Sequence, residues 1–236
     1  MKKAEVILSP ALLSAYDVKD KVAVIIDILR ATTSTCVAFN TGVKRILPVS
    51  TVDEALFFKD FDFITAAERN AAKADGVDLG NSPFEYENPV LAGKSIALTT
   101  TNGTKAIKQC KQQGAIKIAI GSFLNLNALC NWINEQHEDI LLVCSGWKDK
   151  VNSEDTIFAG AVLHQLGSNV NSEADSCQIA LSLYNQHKNN LLEFISKCNH
   201  AQRFKLLHGN TNDIEYCLKQ NTIDMVPTIN GEFIIA

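Results

Sequence analysis

Apolar runs of strand length alternate with helically spaced stretches along most of the chain, and polar turns separate them. Val22–Ile26 is an unbroken apolar run rich in β-branched residues, the composition of a strand buried on both faces. Ser95–Leu98, Ile116–Ile120 and Ile140–Cys144 repeat that pattern, and Glu5–Leu8, Arg45–Val49 and Phe63–Ala66 are shorter versions. Helical spacing follows most of these runs. It extends from Cys36 to a stop at Gly42, then over Ala55–Lys59, Lys105–Lys111, Asn125–Glu135 and Thr156–Leu166, with Gly167 closing the last. Ser50 or Thr51 caps the second of these helices, and Asp53 and Glu54 occupy its first turn. Ala11–Val18 reads as one or two helical turns. Strands alternating with helices predict a three-layer α/β fold, a parallel-rich mixed sheet with helices on both faces.

Two regions break the alternation. Asn70–Pro89 has few large apolar residues and is punctuated by Asp75-Gly76, Gly80, Asn81-Ser82-Pro83 and Asn88-Pro89. It predicts an ordered loop of about twenty residues with a site-covering role, because such long connections are seldom mere linkers. The last third predicts helices over Cys177–His187, Leu191–Leu207 (ended by Gly209) and Thr211–Lys219, forming a C-terminal helical cap. The tail, Met225–Ile234, carries Asn230-Gly231 between apolar runs and predicts a short β-ribbon covering a sheet edge. Residues 1–236 read as a single domain, divisible into two intimately packed halves at about 1–95 and 96–236.

The chemistry concentrates in turns at strand ends. Asp27, Arg30, Thr32, Thr33 and Ser34 follow the first long strand, and Thr99-Thr100-Thr101-Asn102-Gly103-Thr104 follows Ser95–Leu98. In open α/β sheets ligands bind at the carboxyl ends of strands, and helix N-termini attract anions. The Thr-rich turn offers hydroxyls and, through Asn-Gly, close backbone approach to an anion. Asp27, Glu68, Asp78, Glu154 and Asp155 are acids at strand ends or in turns, hard oxygen ligands of the kind Mg²⁺ takes. The bland alternatives are a helix cap for Asp27 and first-turn charges for Glu154 and Asp155.

Composition narrows the classes. With 236 residues, 46% hydrophobic and 20% charged, the chain has ample material for a core. A net charge of −4 with scattered Lys and Arg predicts no nucleic-acid or membrane partner. Seven Cys without a C-x-x-C pair read as reduced thiols of a cytoplasmic protein. P-loop and dinucleotide motifs are absent. A thiol phosphatase would need Arg six residues after its Cys, where Cys144 has Lys150, so Cys144 reads as a core thiol. The histidines, His137, His164, His187, His200 and His208, stand singly and read as core or surface residues, not zinc ligands.

Taken together, Asp27-Ile28-Leu29-Arg30-Ala31-Thr32-Thr33-Ser34, Asp78-Leu79-Gly80-Asn81-Ser82-Pro83, Thr99–Thr104, and Glu154-Asp155 with Ala159-Gly160 closely resemble the 2-phosphosulfolactate phosphatase (ComB-like) family. The similarity runs in order over nearly the whole chain to Val226-Pro227. It departs where the family commonly carries a Gly-Glu-Arg-Gly-Gly-like turn, here Ala67-Glu68-Arg69-Asn70-Ala71. The resemblance implies a Mg²⁺-dependent phosphohydrolase of 2-phospho-3-sulfolactate, or a related phosphorylated 2-hydroxycarboxylic acid, on the route to coenzyme M. In that reading Asp27 and Arg30 are catalytic, with Asp27 as metal ligand or nucleophile. Arg69, Asn81, Ser82, Thr99, Thr100, Asn102, Gly103 and Thr104 bind substrate, and Asp27, Glu68, Asp78, Glu154 and Asp155 supply the metal site. A phosphotransferase or a non-catalytic binder of a phosphorylated or carboxylated metabolite is the alternative. Oligomeric state, including a homo-oligomer, is left open.

Overall fold

The computed structural model describes residues 1–69, 72–208 and 211–236, the side chains of Leu207 and His208 excepted. The expected stop at Gly209, and Asn70 and Ala71 of the expected turn, lie outside the described residues. The strands are β1 (Ala4–Ile7), β2 (Val22–Ile26), β3 (Arg45–Pro48), β4 (Phe63–Arg69), β5 (Ala72–Lys73), β6 (Ser95–Thr99), β7 (Lys117–Gly121), β8 (Ile140–Cys144), β9 (Thr228–Asn230) and β10 (Phe233–Ile235). The helices are α1 (Ala31–Asn40), α2 (Val52–Phe57), α3 (Pro83–Tyr86), α4 (Gly103–Gln112), α5 (Leu126–Glu135), α6 (Ser153–Leu166), α7 (Asp175–His187), α8 (Leu191–Lys197), α9 (Asn199–His208) and α10 (Asn212–Cys217).

Local chemistry accounts for most of these boundaries. Every residue of β2 and β8 is buried, as their unbroken apolar runs require. Thr51 caps α2, its hydroxyl accepting the Glu54 N–H at 3.0 Å. Asn152 caps α6 in the same way, accepting from the Asp155 N–H at 3.2 Å. Ser82 and Glu85 form a capping box around α3. With β5, α3 makes residues 72–89 more regular than their punctuation predicts. The segment is anchored by Tyr86, fully buried, whose hydroxyl donates to the Gly80 carbonyl at 2.9 Å.

The sheet runs β1-β8-β2-β7-β9-β10-β3-β6-β4-β5. β1, β8, β2 and β7 form one parallel set, and β3, β6 and β4 another. The β9–β10 hairpin joins the two sets and covers no outer edge, which corrects the sequence expectation. Thr228 registers with Ala119 of β7 and Ile234 with Ile46 of β3. Each parallel set exposes one unpaired inner edge, and a ribbon with two hydrogen-bonding sides satisfies both. All three steps across the hairpin are antiparallel, so the two sets run in opposite senses along the sheet. Their carboxyl ends converge even so: Pro48 and Leu98 line the same small cavity as Ile25 and Ile120.

Helices lie on both faces of this sheet. The apolar core divides accordingly, one cluster under α5, α6 and α7 and the other under α1, α4 and the hairpin. α6 and α7 approach closely because residue 160 is glycine. A Cβ there would fall 2.0 Å from the Ala180 carbonyl oxygen. α7 thus belongs to the helical layer beside β1, while α9 and α10 reach across the carboxyl ends as the expected cap. No described helix is long and apolar enough to cross a membrane.

Candidate active site

The site begins where β2 ends. Asp27 is buried with 7% exposure, below a turn that leads through a cis Leu29–Arg30 peptide into α1. The turn is tied at both ends. Thr32 donates its backbone N–H to the Asp27 carbonyl and accepts the Asp27 N–H on its hydroxyl, both at 3.0 Å. Asp27 Oδ1 accepts the Ala31 N–H at 3.4 Å, so this carboxylate also acts as a helix cap. Its surroundings are costly for a charge. Burial pushes Asp27 up to about 6, with Glu68 and Glu154 adding to the rise and His200 and the Ala31 N–H opposing it.

Three turns meet around Asp27 in one narrow crevice. Asp27, Leu29 and Arg30 come from the end of β2, Thr101 and Asn102 from the end of β6, and Trp147 and Lys148 from the end of β8. Glu68 at the end of β4, Asn81 before α3, and His200, Arg203 and Phe204 on α9 complete the lining. Thr101 donates its hydroxyl to Glu68 at 3.2 Å. Gly103 permits the β6 turn to touch the β2 turn, since a Cβ there would lie 3.2 Å from both Asp27 Oδ2 and Ala31 Cβ. Asn81 lines the crevice, and its Oδ1 is buried with no hydrogen-bond partner among the described residues, an unusual state for an amide oxygen.

The remaining expected site residues divide by what they touch. Arg30 is buried, ion-paired to Asp213 and stacked over the Phe204 ring at 4.6 Å. Asp213 also accepts the Ser82 hydroxyl at 2.9 Å, so Ser82 reaches the site through Asp213. Arg69 donates to the Glu68 carbonyl at 2.7 Å and to the Thr99 hydroxyl at 3.1 Å. With Thr100 and Thr104 it faces a neighbouring, larger groove of about 710 Å³. Thr100 and Thr104 bond to each other's backbone, closing the start of α4. Asp78 lies apart from the crevice, accepting from the Thr65 N–H and hydroxyl and pairing with Lys59 at 3.3 Å.

Glu154 and Asp155 sit behind Asp27, both fully buried. Asp155 is enclosed by protein donors: the Ile28 N–H at 2.9 Å, and the Gly146 N–H and Asn152 amide at 3.0 Å each. It thereby clamps the β2 turn to the β8 turn. Burial, with Asp27 and Glu154 adding, pushes Asp155 well above the ordinary carboxylate range. Glu154 accepts from His200 Nδ1, and its other oxygen has no hydrogen-bond partner among the described residues. This corrects the expectation for His200, which lines the site. Burial opposes its charge, but the bond to Glu154 and the nearby Asp27 and Glu68 outweigh that and hold the imidazole above its ordinary range. Cys144 is a buried strand-end thiol, pushed well up by burial and by Asp155 and Glu154, and so is no nucleophile. His200, Arg203, Trp147 and Asp213 carry no motif of their own. Asp213 stands out in sequence only as a first-turn acid of α10.

Oxygen donors dominate the base of the crevice, which suits Mg²⁺. Glu68 adds to the cost of ionising Asp27, and Asn81 adds an unpartnered oxygen. Among the described residues no three His, Cys, Asp or Glu side chains converge as a complete metal cage. Mg²⁺ ordinarily takes only one or two carboxylates, with water and phosphate oxygens filling the rest.

Comparison with known proteins agrees with this geometry. A family model described as 2-phosphosulpholactate phosphatase matches residues 7–232. Three relatives, each named probable 2-phosphosulfolactate phosphatase, align over nearly full length. The Caldanaerobacter subterraneus protein is 39% identical over 91% of this chain and 90% of its own. The Thermotoga maritima protein is 38% identical over 92% and 93%, and the Clostridium acetobutylicum protein 36% over 98% and 100%. The chain belongs to the 2-phosphosulfolactate phosphatase family.

Proposed function

We propose that the protein is a Mg²⁺-dependent phosphoric monoester hydrolase whose substrate is 2-phospho-3-sulfolactate or a closely related phosphorylated 2-hydroxycarboxylic acid. The observation that carries the reading is the buried Asp27, held above the ordinary carboxylate range at the base of a crevice formed by three strand-end turns. Crowded carboxylates without a cation are unfavourable, and a bound divalent ion would offset their charge and attract the phosphate dianion of a substrate. Asp27, Glu68 and Asn81 would hold Mg²⁺, which when bound supplies charge stabilisation to the phosphoryl oxygens.

The chain's own groups do the rest. Asp155 fixes the β2 and β8 turns relative to each other, so the base of the crevice is preorganised. Arg30, locked by Asp213 and Phe204, presents its guanidinium at a fixed angle without free swing. His200, oriented through Nδ1 by Glu154, whose carboxylate favours the charged imidazolium, stands ready to give a proton to the departing alkoxide oxygen. Phosphate release from 2-phospho-3-sulfolactate and 2-phospholactate tests the reading. It should require Mg²⁺ or Mn²⁺ and vanish in excess chelator. Full release after exhaustive chelation would overturn the metal assignment. Tight binding of these esters without turnover in Mg²⁺ would favour a non-catalytic binding protein.

A further inference from the structure

We infer that Arg203 and Lys148, gathered around the indole of Trp147, form the subsite that binds the sulfonate of the substrate. The inference rests on the phosphatase reading above and names which residues select its substrate. Arg203 lies on α9 with its Cζ 3.8 Å from the Trp147 ring centroid, and Lys148 places its Nζ 4.7 Å from the same ring. Both distances fall within cation–π range. Neither cation has a carboxylate within ion-pair distance among the described residues.

The other cations near the site are differently engaged. Arg30 is neutralised by Asp213, Lys105 pairs with Asp149 at 2.6 Å, and Arg69 is committed to Thr99 and the Glu68 carbonyl. Arg203 and Lys148 are therefore the crevice cations whose charge is left for a ligand. In a chain of net charge −4, placing two such cations on one aromatic ring creates a local anion site against the overall field.

Their position matches the substrate's shape. Asp27 is buried at the base, Trp147 and Arg203 are half-buried, and Lys148 is exposed, so the crevice runs from acids at its base to cations at its mouth. In a 2-phospho-3-sulfo acid the phosphoryl oxygen and the carboxylate share C2, and the sulfonate is one carbon further away. A phosphate bound at the base therefore sends the sulfonate toward the mouth. There a planar guanidinium and an ammonium approach an oxyanion from two separate elements, and the indole keeps them in place without adding charge.

The test compares wild type with Arg203→Met and Arg203→Lys. Calorimetry measures binding of 3-sulfolactate and of lactate, and kinetics compare 2-phospho-3-sulfolactate with 2-phospholactate at saturating Mg²⁺. Wild type should bind 3-sulfolactate at least tenfold more tightly than lactate. Arg203→Met should erase most of that preference and lower the kcat/KM ratio of the sulfonated to the unsulfonated ester about tenfold, mainly through KM. Arg203→Lys should restore part of it. Equal losses on both esters, or an unchanged preference in Arg203→Met, would overturn the subsite. If Arg203→Met misfolds by circular dichroism, Lys148→Met, at an exposed position, must show the same loss of preference, and its failure to do so overturns the inference. A wild type that discriminates 3-sulfolactate through Arg203 yet releases no phosphate would overturn the phosphatase reading alone.

Discussion

The turns after β2 and β6 share one pattern: a buried strand, a short turn, then a ten-residue helix with threonine in its first turn. They are held by different means. The β6 turn is closed by Thr100 and Thr104, which bond to each other across one helical turn, and its outside partners, Glu68, Arg69 and Lys148, lie within fifty positions of it in the chain. The β2 turn depends on residues more than a hundred positions away, with Asp155 gripping the Ile28 N–H and Asp213 gripping Arg30. Both turns are closed by bonds of their own, Thr104 with Thr100 and Thr32 with Asp27. A turn that carries a buried carboxylate and guanidinium needs donors and counter-charges brought in by the fold, because neither charge is tolerated alone in the interior.

The largest effect is expected from Asp27→Asn. It should cut turnover at least roughly a hundredfold, about 2.7 kcal/mol of transition-state stabilisation. The same change should stabilise the metal-free fold. Asp27 titrates higher in the folded chain than unfolded, so it binds a proton more tightly when folded, and its contribution is favourable at low pH. That contribution is lost as pH rises from about 4 through about 6. At pH 8 the Asn variant should therefore be more stable than wild type, by on the order of 2 kcal/mol in urea titrations with chelator, and the difference should shrink below pH 4. Wild-type turnover in a folded Asp27→Asn protein would remove Asp27 from the chemistry.

Asp155→Ala tests the long-range clamp. It leaves three N–H donors without their acceptor and should cost about 3 kcal/mol in denaturant titrations, with activity falling because the β2 and β8 turns lose their common anchor. A smaller effect is expected where the two turns meet. Gly103→Ala puts a methyl against Asp27 and Ala31, and should cost about 1–2 kcal/mol by overpacking. It should also reduce turnover more than stability alone explains, read as kcat at saturating Mg²⁺ on a well-folded sample.

Much of this site is legible in the sequence, and the illegible part has a common cause. Asp27 and Thr99–Thr104 stand out because strand-to-helix junctions are local features of an alternating pattern. Asn81 falls in a stretch marked by its punctuation. His200, Arg203, Trp147 and Asp213 do not stand out, since a lone His or Arg on an amphipathic helix looks like any solvated side chain. Asp155 illustrates the reverse: its acid is visible, but its three donors are not. Nothing local distinguishes a carboxylate that faces a ligand from one enclosed by backbone amides.

Strand runs, helix starts and stops, and the turns where charge and hydroxyls gather are written in short-range patterns, because periodicity, capping and glycine stops act over a few residues. The place of the β9–β10 hairpin at the centre of the sheet, between β7 and β3, comes from the assembled fold. An Asn-Gly hairpin specifies its own two strands, whereas its neighbours depend on which edges remain unpaired elsewhere. That placement sets two parallel strand sets in opposite senses with their carboxyl ends on one crevice. It also lets α9 and α10 cover the crevice with His200, Arg203 and Asp213, contacts between distant parts of the chain that hydrophobic patterning does not encode.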